Sequence, residues 1–197
     1  MDQAAPRRSR LYDAAQLAAV LDAMALQAAG LLAGAEAVAL VGVLRRGAPL
    51  ADMLAERLGA HGVAPPRRVD LAISRYADDL TLLYPQTRLL EDAAHAAPDL
   101  EGHTVLLVDD VLYTGHSLLR AVDWLVRRHA ECVRVAVLAE RCIARLPLHA
   151  DVVGVRLQVA PGDIVECHVP PYEPAFAIEL VHRPAAAPGN DTSRGGR

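Results

Sequence analysis

Asp109 and Asp110 stand side by side, and Thr114-Gly115-His116-Ser117 follows after the short apolar link Val111-Leu112-Tyr113. A glycine between hydroxyl-bearing residues at the start of a helix suits a phosphate. Unpaired N–H groups and the helix dipole draw an anion there. Gly115 allows close backbone approach, and the Thr114 and Ser117 hydroxyls add donors. Two carboxylates just upstream would repel that phosphate. They suit instead the hydroxyls of a ribose, or a Mg2+ that the sugar also ligates. Acids for a sugar and amides for its phosphate, within one stretch, describe a phosphoribosyl group. The competing reading is a strand–turn–helix junction whose acids are incidental.

The elements that must position these groups are legible on either side. Residues 104–108 form an apolar run too short for a helix, the pattern of a strand buried on both faces of a parallel sheet. Leu118, Ala121, Val122, Leu125 and His129 then recur at helical spacing, with Arg127 and Arg128 near the end where cations suit the dipole. An earlier unit repeats the plan. Ala37–Val43 reads as a strand, 48–58 as a helix, and Leu44-Arg45-Arg46-Gly47 as the loop between them. Loops at the carboxyl ends of strands are where doubly wound sheets bind ligands. Arg45 and Arg46 suit the oxygens of a diphosphate, because guanidinium groups pair with phosphate in a fork. Two surface arginines in a turn are the alternative.

The stretch 105–117, VLLVDDVLYTGHS, resembles the phosphoribosyl diphosphate (PRPP) motif of type I phosphoribosyltransferases. It is most similar to the form in the PyrR group, pyrimidine operon regulators that are also uracil phosphoribosyltransferases. The Arg45-Arg46-Gly47 loop matches that group's pyrophosphate loop at Arg-Gly, with Leu44 and Arg45 in place of a lysine and a threonine. Residues 73–80, ISRYADDL, resemble the stretch leading into its flexible loop, with Ala77 where the family has an arginine and Arg75 two residues back. Glu140-Arg141 and the Leu146-Pro147 pair match a further run, in which Cys142 replaces a glycine and an arginine falls at Arg145. Residues 150–154 match as well; beyond them the similarity fades, with Ala160-Pro161-Gly162 for a Pro-Thr-Ser run and Pro170-Pro171-Tyr172 unfamiliar.

The resemblance implies an α/β fold: a central parallel sheet flanked by helices, with a small hood that selects the base and a flexible active-site loop. It implies Mg2+-dependent transfer of phosphoribose from PRPP to a nucleobase. Residues 109–117 would bind PRPP, with Asp109 and Asp110 on the ribose, and Arg45, Arg46 and Gly47 would hold the pyrophosphate. Arg75, Asp78, Asp79, Arg141 and Arg145 would be substrate contacts, and Asp109, Asp110 and Glu140 would hold the metal directly or through water. Plainer roles compete: a cap or turn for Asp78 and Asp79, an ion pair for Arg141, an exposed spectator for His116, which stands where the group has arginine. Hypoxanthine-guanine phosphoribosyltransferases carry an aspartate directly before the Thr-Gly pair; Tyr113 in that place points to uracil, giving UMP. A purine or orotate enzyme, or a nucleotide-sensing RNA-binding regulator of low activity, remain as alternatives.

Composition sets the frame. The chain has 197 residues, is 53% hydrophobic and carries a net charge of −4, which disfavours a surface built wholly for RNA. All twenty basic residues are arginine. No apolar run is read as membrane-spanning and no signal-peptide core is evident, so a cytoplasmic protein without a membrane partner is expected. Cys132, Cys142 and Cys167 show no paired spacing and read as buried thiols. Residues 1–10 are expected to be a mobile basic arm, 11–183 the single catalytic domain and 184–197 a disordered tail. Residues 12–32, capped by Asp13, read as a helix with apolar residues on more than one face, which together with the family suggests a homo-oligomer. Residues 82–100, with Pro85 and Pro98, read as a lid that shields the reaction from water.

Overall fold

The computed structural model describes residues 7–73, 99–142 and 148–182. Within them the order is β1 (Arg7–Tyr12), α1 (Ala14–Leu32), β2 (Ala37–Val43), α2 (Gly47–Gly59), β3 (Arg67–Leu71), β4 (His103–Leu112), α3 (His116–Val126), β5 (Cys132–Arg141), β6 (Val152–Leu157), β7 (Ile164–His168) and β8 (Ala177–His182). Strands β3-β2-β4-β5-β6 form a sheet in which every pairing is parallel, and β1-β8-β7 form a separate antiparallel sheet, the hood. This is the expected α/β architecture.

The continuous apolar runs form strands because helices cover both faces of the sheet. On β4, Leu106 and Val108 join the core layer under α1 and α2, while Val105 and Leu107 join Leu118, Ala121 and Leu125 of α3 in the other. Chain order moves outward from β2 to β3 and then returns to the other side of β2 for β4. Ligands of open α/β sheets bind at such a reversal, outside the carboxyl ends of the strands. The two loops singled out in the sequence follow β2 and β4, so they flank it.

Helix α1 begins as expected. The Asp13 side chain accepts from the Gln16 N–H at 2.9 Å, and the Gln16 side chain accepts from the Asp13 N–H at 3.0 Å, closing a capping box. By length and apolar composition α1 could cross a membrane, which the reading of the sequence did not recognise. Here it packs on the sheet through Leu17, Leu21, Met24, Ala25, Ala28 and Leu32.

Two expectations are corrected at the N-terminus and among the cysteines. Residues 7–10 are no arm: they open β1, paired with β8 from Arg7 opposite His182. Arg8 reaches Glu166 of β7 at 2.6 Å and Glu179 of β8 at 3.5 Å, and Arg10 reaches Glu179 at 3.8 Å, so these two arginines pair across the strands with hood acids. Of the cysteines, Cys167 is buried, Cys132 partly buried and Cys142 exposed. The segments containing Arg75, Ala77, Asp78 and Asp79, Arg145, residues 82–98 of the expected lid, residues 1–6 and the tail lie outside the described residues, while Leu100, at the lid's end, is buried in the core beside α3.

Candidate active site

Strand β4 does not stop before the acids but runs through them to Leu112. Alternation along the strand starts Asp109 and Asp110 from opposite faces of the sheet. Both are nearly buried, at 6% and 3% exposure. The backbone fixes their side chains: the Asp110 N–H donates to Asp109 Oδ1 at 2.8 Å, and the Val111 N–H donates to Asp110 Oδ1 at 3.0 Å. Buried carboxylates persist only when charge or hydrogen bonds compensate them. For Asp110 part of that compensation is Arg46, whose Nη1 lies 3.7 Å from Oδ2. Leu112 and Tyr113 lead from the strand into the following loop, as the motif requires.

That loop turns at Gly115, whose φ of 88° places it in the left-handed region that glycine adopts without a Cβ penalty. Gly115 is the N-cap of α3, and no side chain hydrogen-bonds there. The same is true of Arg46 at the start of α2, whereas α1, remote from the site, has its capping box. At the two helices that face the switch point no side-chain cap occupies the first-turn amides, the groups with which a helix start can meet an anion. Thr114 Oγ1 and His116 Nδ1 are 2.9 Å apart, so His116 is tied to the loop hydroxyl while its side chain stays exposed.

The loop after β2 carries Arg45 and Arg46, with a cis peptide between Leu44 and Arg45. It is seated directly on β4. A Cβ on Gly47 would overlap the Val108 carbonyl oxygen and come within 3.1 Å of the Asp109 Cα. Glycine is thus what brings the arginine loop against the acid pair.

The hood supplies residues that reading the sequence did not single out as functional. Glu173 Oε1 accepts from Arg46 Nη2 at 2.6 Å and from Nε at 3.0 Å. These bonds raise the arginine's affinity for its proton and hold the Glu173 carboxyl below its ordinary range. The Arg45 guanidinium lies 5.0 Å over the Tyr172 ring. Cys167 donates to the Asp110 carbonyl at 3.7 Å; burial, and then the nearby Asp110 charge, push its thiol well up, so it remains protonated.

Two residues expected to touch substrate or metal make contacts within the protein. Glu140 takes Arg156 Nε at 2.8 Å, and among the described residues no three His, Cys, Asp or Glu side chains gather into a metal site. It is thus paired with Arg156 and forms no three-residue cluster with Asp109 and Asp110. Arg141, 3% exposed, is a brace: its guanidinium lies 4.6 Å over the Tyr113 ring, and Nη2 donates to the carbonyls of Ala160 at 2.9 Å and Pro161 at 3.1 Å. It ties the loop after β4 to the segment entering the hood.

Comparison with known proteins agrees with this geometry. Residues 7–174 match the phosphoribosyl transferase domain family. The bifunctional protein PyrR of Deinococcus radiodurans is 38% identical over 149 residues, covering 75% of this chain and 80% of its own. That of Listeria monocytogenes is 36% identical over 156 residues, covering 76% and 83%. Among solved structures, the hypoxanthine phosphoribosyl transferase of Trypanosoma cruzi superposes with a TM-score of 0.74 at 22% identity, covering 92% of this chain and 94% of that one. An acid pair on β4, an uncapped glycine turn after it and an arginine loop seated against both thus occur in a chain that belongs to the phosphoribosyltransferase family, with the type I fold and PyrR proteins among its relatives.

Proposed function

We propose that this phosphoribosyltransferase moves the phosphoribosyl group of PRPP to uracil, forming UMP and pyrophosphate, with Mg2+, in the cytoplasm. The observation that carries the reading is the Arg46–Asp110 approach at 3.7 Å, because it brings a diphosphate-binding cation and a ribose-binding acid to one point. Around it, the α3 amides after Gly115 take the 5′-phosphate, and Asp109 and Asp110 accept hydrogen bonds from the ribose hydroxyls. Their negative charge also favours the positive charge that develops on the ring as the diphosphate departs. Arg45 and Arg46 receive the charge growing on the leaving group. Such chemistry rests on positioning and on stabilising separated charge.

Two nearly buried carboxylates are hard oxygen donors, and Mg2+ takes one or two of these while substrate phosphates and water complete its shell. The donor set therefore fits, with Asp109 and Asp110 as the residues that would hold the ion. When bound, Mg2+ neutralises charge on the diphosphate.

For the base, Tyr113 supports uracil, since the 6-oxopurine enzymes have an aspartate in its place, and the PyrR relatives point the same way. A regulatory role through RNA ranks lower: several arginines that could form a basic face, among them Arg8, Arg57, Arg68 and Arg156, are engaged with acids. The test is pyrophosphate release from PRPP and Mg2+ with uracil, orotate, hypoxanthine, guanine and xanthine offered separately. Turnover with uracil alone is expected. Turnover with a purine or orotate overturns the base, and binding of PRPP without turnover on any base overturns the transfer.

A further inference from the structure

The hood segment 169–173 closes on itself before it reaches the arginine loop. The Glu173 N–H donates to the Val169 carbonyl at 3.3 Å, and Glu173 Oε2 accepts from the Val169 N–H at 2.9 Å. With Pro170 and Pro171 between them, this turn fixes the Glu173 carboxylate before it meets any partner. The other oxygen, Oε1, then occupies two donor nitrogens of Arg46, and the preceding residue, Tyr172, lies against Arg45. Two consecutive hood residues thus hold two consecutive loop cations.

A carboxylate accepting a forked pair of guanidinium bonds makes the contact that a phosphate oxygen would make. Glu173 also places a negative charge beside the loop that has to attract a diphosphate. We propose that Glu173, with Tyr172, is an internal counter-ion that occupies the Arg45–Arg46 loop and competes with the diphosphate for it. Binding of PRPP or pyrophosphate displaces Glu173 from Arg46, and its return helps to expel the pyrophosphate product. This rests on the reading of the loop as the diphosphate site, and adds to it a residue that sets how tightly the site holds.

The sign of one change decides the matter. Glu173→Gln keeps a carbonyl oxygen for the Val169 N–H and removes the charge. It is expected to bind inorganic pyrophosphate about three- to tenfold more tightly than the wild type in calorimetry with Mg2+ and no base present, the scale of a half-buried ion pair. The gain should vanish in an Arg46→Gln background, and Tyr172→Leu, an exposed change, should give a smaller gain. In turnover, Glu173→Gln should lower KM for PRPP and strengthen product inhibition by pyrophosphate. Unchanged or weaker binding by Glu173→Gln, while the wild type binds, shows that Glu173 supports Arg46 and overturns the competition alone. Absence of pyrophosphate and PRPP binding by the wild type removes the diphosphate site itself, and the competition with it.

Discussion

Arg46 and Asp110 meet at 3.7 Å across the point where the sheet reverses its order, one from the loop after β2 and one from β4. Their approach joins two sequence motifs that lie more than sixty positions apart. If Asp110 acts on the ribose through its charge, Asp110→Asn retains the shape and the Val111 N–H bond but loses the field. A fall in kcat of about a hundredfold is expected, the scale of removing one preorganised electrostatic group. Binding of PRPP should change far less. Steady-state kinetics checks this, and a raised KM with kcat unchanged would place Asp110 in uniform binding instead.

Gly47 makes that approach possible, and its side should be equally measurable. Gly47→Ala drives a methyl group into the Val108 carbonyl and against the Asp109 backbone. Neither strand nor helix can yield cheaply, so the loop must lift. A loss of about 1–3 kcal/mol in stability is expected from overpacking. KM for PRPP should rise as Arg46 leaves Asp110. Thermal unfolding together with KM measures both; an alanine variant with unchanged KM would show that the seating of the loop does not matter to the substrate.

The Arg141–Tyr113 stack predicts an energetic coupling. Arg141 is 3% exposed, so its cation sits over the ring largely out of water. A double-mutant cycle of Arg141→Met and Tyr113→Leu should give a coupling of about 0.5–2 kcal/mol in denaturant unfolding. Tyr113→Phe keeps a ring face and should retain most of it. Arg141→Lys loses the planar guanidinium that stacks on the Tyr113 ring and should behave more like methionine than arginine. A coupling near zero would leave the stack a contact without energetic content.

These contacts also show what could be read from the sequence and what could not. Ala37–Val43 was legible because a strand covered on both faces leaves an unbroken apolar run, and α1 because Asp13 and Gln16 write their capping box three residues apart. The acid pair and the glycine turn were legible because their chemistry is local. The true end of β4 was not, since Asp109 and Asp110 are satisfied by the next residue's N–H and so continue the strand where acids usually end one. Strand β1 was hidden because the strand it pairs with, β8, comes at the far end of the described chain, with Arg8 opposite Val181. Glu140 was read as a metal ligand, direct or through water, from its type and place; its pairing with Arg156, 16 positions on, was not legible. Glu173 is the extreme case: nothing near it in the chain announces Arg46, 127 positions earlier.

The Arg46–Glu173 pair carries a prediction about acid as well. The Arg46 hydrogen bond, with the Val169 N–H and the Arg46 charge assisting, holds Glu173 below its ordinary value of 4.5, while burial opposes the shift. A carboxyl with a depressed value in the folded state binds its proton more weakly there than in the unfolded chain. The stability it contributes is therefore complete above about pH 4.5–5 and is lost as pH falls through the lowered value. Wild type and Glu173→Gln should accordingly differ in Tm by a constant amount from about pH 5 upward, and the gap should shrink as pH falls below 4.5 and close as it passes through the lowered value. Only the wild type loses the contribution on acidification; glutamine has no proton to gain. Calorimetric scans of the two proteins from about pH 3 to about pH 7 measure the gap directly. A gap that stays constant through the acid range would mean that the Glu173 charge contributes nothing to folding and that any difference arises from packing.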